Sequence, residues 1–326
     1  MQVTTLEWVI TGVVILALFV FDFFAHVRTP HEPTFKESGF WSAVYIGLAL
    51  LFGLFVAWKW GGTYAGEYYA GFVTEKALSV DNLFIFLIIM STFAVPRIYQ
   101  QKVLLIGIVL ALVMRGAFIA VGAAAISAFS WVFYLFGAFL IYTAVNLLRE
   151  SGHEVEHEQQ RDSRIVALAK RILPTTDQYD GDKLVTRIDG KRVVTPLLLA
   201  LLAIGFADLL FALDSIPAIY GLTEQPYLVF TANAFALMGL RQLFFLIGGL
   251  LDRLVYLSYG LAAILAFIGV KLVLHALHEN TLPFINGGEH VSVPEISTVF
   301  SLSVIIGILV IATVASLLKT RRTTSS

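Results

Sequence analysis

The chain has 326 residues, 58% of them hydrophobic and only 14% charged, with a mean hydropathy of +0.82. Soluble chains carry about 25% charged residues, so a water-soluble globular protein is excluded and a multi-pass membrane protein is expected. The chain has no cysteine, which removes disulfides, thiolate metal sites and cysteine nucleophiles. Its net charge of −1 identifies no partner because the charges are segregated by loop; the lipid bilayer is the partner expected, and nucleic acid is not.

Apolar runs predict nine spans, at about 7–26, 40–59, 68–92, 102–124, 129–148, 196–219, 228–250, 255–277 and 297–318. Met1 to Trp8 lacks a basic n-region and a small-residue cleavage site, so the first run is expected to be a retained span. The loops after odd-numbered spans and the tail hold Arg28, Lys36, Arg97, Lys102, nine residues from Arg149 to Arg192, Arg253, Lys319, Arg321 and Arg322. That is 17 of the 22 basic residues, and the other side holds at most Lys59. The positive-inside rule then places the N-terminus outside and the C-terminus in the cytoplasm.

Charges also lie within the spans. Asp22 ends the first. Span three carries T-E-K-A-L-S-V-D-N-L-F-I-F, Thr74 to Phe86, with Glu75, Lys76 and Asp81. Span four carries Arg115, and span five reads F-G-A-F-L-I-Y-T-A-V-N-L. A polar segment from about Arg149 to Thr195 follows, with two β-prone runs around Asp189-Gly190, a hairpin signal. Its His153-Glu154-Val155-Glu156-His157 fits the zincin pattern H-E-x-x-H. A zincin needs a third ligand and a cleft, and a charged juxtamembrane stretch reads as a solvated face.

Span six carries G-F-A-D-L-L-F-A-L-D-S-I-P-A-I, Gly205 to Ile219. Superposing Glu75 on Asp208 puts Asp81 on Asp214 and Asn82 on Ser215. Arg241 of span seven then answers Arg115, and Y-G-L-A-A-I-L-A-F-I-G-V-K-L of span eight, with Lys271, answers span five. Three spans separate the copies, so spans 3–5 and 6–8 form an inverted-topology pair, an arrangement that places transporter sites at the repeat interface. The expected fold is all-α and polytopic. It is a single membrane domain over 1–326, with a first repeat at 66–149, a cytoplasmic loop with a hairpin at 150–195, a second repeat at 196–278 and a last span at 297–318. Beyond span eight, His275 and His278 share a helical face; ordinary interfacial polarity accounts for them better than a metal site.

Intramembrane ionisable groups mark ion or proton pathways by default. In an intact helix, acids six residues apart stand about 9 Å and about 240° from each other. A small cation therefore needs either a helix broken between them or one acid from each copy. Pro217 favours a distortion beside Asp214-Ser215, where opened backbone would add carbonyl ligands, as it would beside Asp81-Asn82. All these ligands are hard oxygens, suited to Mg²⁺, Ca²⁺ or Mn²⁺. Glu75, Asp81, Asp208 and Asp214 balance Lys76, Arg115, Arg241 and Lys271, and carboxylates crowded in lipid favour exchange of cation for protons. An intramembrane aspartic protease leaves two acids and two arginines unexplained, so no enzyme is expected. A non-transporting scaffold or sensor is the alternative.

E75-K-A-L-S-V-D-N82, F211-A-L-D-S-I-P-A-I219 and T231-A-N-A-F-A-L-M-G-L-R241 resemble the TerC/Alx family of bacterial integral membrane proteins, over nearly the whole chain. That family is named for tellurium resistance, linked to manganese export and grouped with LysE-type transporters. The resemblance implies a plasma-membrane exporter of a divalent cation, Mn²⁺ first, with no resident cofactor. Glu75, Asp81, Asn82, Asp208, Asp214 and Ser215 would line the ion site, and Arg115 and Arg241 would support it. The chain departs from the family at Gly205, where many members carry Glu, and at Asn146, where many carry Lys. One acid and one base are thus absent together, which keeps the charge balance.

Overall fold

A computed structural model describes residues 1–27, 33–129, 131–150, 174–176, 178–188, 190–247, 256–280, 282 and 285–324. The first half holds α1 (Thr5–Asp22), α2 (Phe35–Trp60), α3 (Gly62–Thr92), α4 (Arg97–Ala128) and α5 (Val132–Glu150). Strands β1 (Val185–Ile188) and β2 (Lys191–Val194) precede α6 (Pro196–Tyr220), α7 (Pro226–Met238), α8 (Leu240–Ile247), α9 (Leu257–His278) and α10 (Thr298–Thr324). Among the described residues eight helical segments are long and apolar enough to cross a membrane, with α7 and α8 together counting as one. The ninth expected span, α3, has 31 residues, but Glu67, Glu75, Lys76 and Asp81 make it too charged to qualify by composition. The chain is an all-α polytopic membrane protein.

Local chemistry sets the helix starts. Thr4 and Glu7 form a capping box at α1, and Thr34 and Glu37 repeat it at α2, each pair satisfying two backbone donors that the helix leaves open. Glu7 also pairs with Lys59, tying the start of α1 to the end of α2. Strands β1 and β2 pair antiparallel with Ile188 opposite Lys191. Gly190 takes φ +77° in their turn, a conformation that glycine adopts without strain. Lys102 of α4 donates to Asp182 at 2.6 Å, and Tyr179 donates to the Phe93 carbonyl at 2.7 Å, so the segment leading to the hairpin is docked on the α3–α4 turn. The Lys102 hydrogen bond holds the Asp182 carboxyl below the usual carboxylate range. The His153–His157 stretch lies outside the described residues.

The middle of the molecule is built from α3, α4, α6 and α7. In α7 every residue from Tyr227 to Met238 is buried except Phe230, whereas Val13, Leu54, Val310 and Ile311 of α1, α2 and α10 face outward, as lipid contact requires. α3 packs on α7, α4 on α6, and α5 on α9. Lipid is as apolar as leucine, so close backbone approach rather than apolar burial must join such helices. The α5–α9 crossing shows this: a Cβ at Gly137 would lie 2.9 Å from the Gly269 carbonyl oxygen, and one at Gly269 would lie 3.0 Å from that of Gly137.

The backbone opening expected beside Asp81-Asn82 and Asp214-Ser215 is absent: α3 and α6 run unbroken through both motifs. Pro217 sits in the last turn of α6, where its missing N–H removes one bond just before the helix ends at Tyr220. The interruption falls instead at Gly239, between α7 and α8.

A leucine at Gly137 or Gly269 must push α5 and α9 apart, at a cost of about 1–3 kcal/mol. Thermal unfolding of the detergent-purified protein should show a lowered Tm for either variant. Gly47→Ala, whose new Cβ meets nothing within 4 Å, should leave it unchanged or slightly raised.

Candidate functional site

Arg115 lies mid-way along α4, and its guanidinium reaches two other helices. Nε and Nη2 donate to Asp208 of α6 at 3.1 and 2.8 Å, a bidentate fork. Nη1 donates to Glu75 Oε1 of α3, and lies 3.4 Å from Ser215 Oγ. Ser79, one turn beyond Glu75, adds its hydroxyl to the same Oε1 at 3.4 Å. Glu75, Ser79, Arg115 and Asp208 are each 0% exposed. The two acids that superpose when the α3 and α6 sequences are aligned therefore share one arginine. When all three are ionised, the net charge of the triad is −1.

That charge is not spread evenly. Both oxygens of Asp208 accept from Arg115, whereas Glu75 Oε2 is buried with no protein donor. Glu75 Oε2 is thus the one anionic acceptor of the triad that protein does not satisfy. Ser215 is buried on α6 beside Arg115, Asn82 is buried on α3 seven residues past Glu75, and Asp214 is partly buried six residues past Asp208. The Asp81 side chain lies outside the described residues. Among those described, no three histidine, aspartate or glutamate side chains converge as a ready-made metal cluster.

The other bases expected as supports stand elsewhere. Arg241, on α8, donates from Nη2 to Asp22 Oδ1 at 2.7 Å and from Nη1 to Gln101 Oε1 at 3.0 Å. Tyr45 donates to the same Asp22 oxygen at 2.5 Å. Lys76 donates to the Ala236 carbonyl at 3.0 Å, near the C-terminal end of α7, where orphan carbonyls and the helix dipole favour a cation. A Cβ at Gly239 would stand 2.9 Å from Lys76 Nζ, so the break in span seven is shaped to admit this ammonium.

Lys271 lines a separate cavity of about 480 Å³ with Glu67, Thr223, Glu224, His275 and Glu295. In it Thr223 donates to Glu67 at 2.6 Å. His275 pairs with Glu224 at 2.8 Å and holds that carboxyl below its usual range. His278 stands 3.4 Å from both Glu279 and Glu295, so the two histidines go to different partners.

Glu75, Arg115, Asp208 and Ser215 are thus brought together, while Asp22 with Arg241, Lys76, and Lys271 occupy three other places. Sequence reasoning passed over Ser79, Gln101 and Tyr45. Ser79 had a signal, because i+4 on a helix shares the face of Glu75; Gln101 and Tyr45 had none beyond being polar in an apolar run.

Comparison with known proteins agrees with this architecture. A family model described as the integral membrane protein TerC family matches residues 60–324. An uncharacterized membrane protein of Mycobacterium tuberculosis is 54% identical over 317 residues, covering 97% of this chain and 80% of its own length. The thylakoid membrane protein TERC of Arabidopsis thaliana is 41% identical over 243 residues, 74% of this chain and 62% of its own. Alx of Shigella flexneri is 36% identical over 283 residues, 83% of this chain and 87% of its own. No solved structure matches.

Replacing Arg115 by methionine would strand two fully buried carboxylates, a loss of about 3–5 kcal/mol. Arg115→Met should therefore accumulate poorly or melt well below wild type in detergent. Ser79→Ala removes one long hydrogen bond and should stay within about 1 kcal/mol of wild type.

Proposed function

The chain belongs to the TerC family, as a multi-pass integral membrane protein of the bacterial inner membrane, and from that premise we propose that it carries a hard divalent cation, Mn²⁺ first, out across that membrane. The observation that carries this reading is the Arg115 triad. Motif-equivalent acids from the two copies meet at mid-helix depth on one guanidinium, and Glu75 keeps an anionic oxygen to offer. An arrangement held only for stability would pair that oxygen too.

The helix pairings support an inverted repeat. Exchanging α3 with α6, α4 with α7 and α5 with α9 turns the α3–α7 contact into α6–α4 and leaves α5–α9 unchanged, and these are the pairs that pack. The triad then lies where the two three-helix units meet, the usual place for a transported ion. Oxygen-only ligands select hard cations, and Mn²⁺ accepts such a set. A dication takes the triad from −1 to +1, and exchanging that ion for two protons leaves the buried charge unchanged. Each carboxylate accepts from Arg115, which supplies the charge that a shared proton supplies in a protease dyad, so this reading assigns the triad no catalytic step.

A non-transporting scaffold or sensor is the second reading, favoured by the fact that Arg115 already pairs Glu75 and Asp208. Flux separates the two. In proteoliposomes, wild type should move Mn²⁺ saturably, Glu75→Gln and Asp208→Asn should abolish the movement, and an imposed pH gradient should change its rate. Flux indifferent to that gradient would remove proton exchange, and folded wild type that moves no divalent ion would leave the scaffold.

A further inference from the structure

Four buried side-chain atoms beside the triad lack a protein partner: Thr74 Oγ1, Glu75 Oε2, and both Oδ1 and Nδ2 of Asn233. Thr74, Glu75 and Asn233 are each 0% exposed. An orphaned polar atom at such depth costs about 1–3 kcal/mol, and orphans gathered in one place point to a ligand.

The packing of α7 on α3 brings Asn233 toward the turn that carries Thr74 and Glu75. A Cβ at Gly71 of α3 would lie 3.4 Å from Ala232 Cβ of α7, and Lys76 Nζ lies 3.0 Å from the Ala236 carbonyl. The two helices therefore run parallel here, and Thr74, Glu75 and Asn233 fall between these two contacts. Around α3, Thr74 and Glu75 stand about 60° and about 40° to either side of Gly71. Around α7, with Ala232 as origin, Ala236 and Gly239 lie at about 40° and about −20°, facing α3, and Asn233 lies at about 100°. Phe230, at about 160°, faces α4: its ring lies 3.6 Å from a Cβ at Gly116. Asn233 thus projects between α3 and α4, the side on which Arg115 meets Glu75.

We propose that Asn233 Oδ1 and Thr74 Oγ1 join Glu75 Oε2 as protein ligands of the transported cation. This rests on the transport reading and names the residues that hold its substrate. One carboxylate and two neutral oxygens suit a partly hydrated hard dication, whose remaining waters complete the shell, and water admitted with the ion would accept from Nδ2. The low ligand charge keeps the ion releasable, because affinity at oxygen sites rises with the number of charged ligands.

The test is Mn²⁺ titration calorimetry and thermal unfolding, with and without Mn²⁺, on the full-length protein in detergent. Asn233→Leu should weaken Mn²⁺ binding by about tenfold or more and abolish the Mn²⁺-induced rise in Tm. Its ion-free Tm should equal or exceed that of wild type, since an apolar isostere replaces an orphaned amide. Thr74→Val should weaken binding in the same direction, and it decides the matter if Asn233→Leu does not fold. Wild-type affinity in the folded variants, or a lowered ion-free Tm for Asn233→Leu, overturns the ligand assignment and leaves the transport reading standing. Folded wild type that binds no Mn²⁺ overturns both.

Discussion

Two fully buried carboxylates from distant parts of the chain share one guanidinium. Around that fact the helices have little freedom. Glu75, Arg115 and Asp208 lie on α3, α4 and α6, so the fork at Asp208 and the contact to Glu75 fix the relative rotation and depth of three helices at once. Apolar burial cannot set such a register in lipid, where leucine meets surroundings like itself. A buried charge can, because its alternative is an uncompensated ion.

The remaining charges within the spans follow the same rule by different means. Arg241 and Asp22 pair directly and recruit Tyr45 and Gln101. Lys76 has no acid in its closest contact; it meets the carbonyl end of α7, and the interruption at Gly239 gives its ammonium room. The broken seventh span is therefore an electrostatic feature, the place where a lysine from α3 finds backbone oxygen. Protein leaves Glu75 Oε2, Thr74 Oγ1 and both amide atoms of Asn233 unpaired beside the triad, while Ser38, Ser42, Arg241 Nε and Gln242 are the other described side chains with an unpaired buried atom.

The helices were legible because a run of about 20 apolar residues has few other uses, and Glu75 and Asp208 were legible because charge at that depth is costly. Their meeting was expected as one of two ways to bring separated acids together, and continuous helices made it the way taken. The expected break at Pro217 did not form, since a proline in the last turn disturbs a helix that is about to end. Internal similarity matches Arg241 to Arg115, yet its partner is Asp22, 219 residues away at the end of α1. Nothing in either local sequence announces that pair; only the docking of α1 on the bundle creates it. Asn233 lies in the Thr231–Arg241 motif with nothing in its local sequence to give it a role, because its orphaned amide appears only once α3 and α4 are packed beside it.

The most direct measurement is made on a triple variant, Glu75→Gln, Arg115→Met and Asp208→Asn, reconstituted and assayed for both Tm and Mn²⁺ flux. Removing all three charges together leaves no stranded ion, so the protein should fold with a Tm near wild type and carry no Mn²⁺. A triple variant that still moves Mn²⁺ at the wild-type rate would show that the triad is not the ion's path.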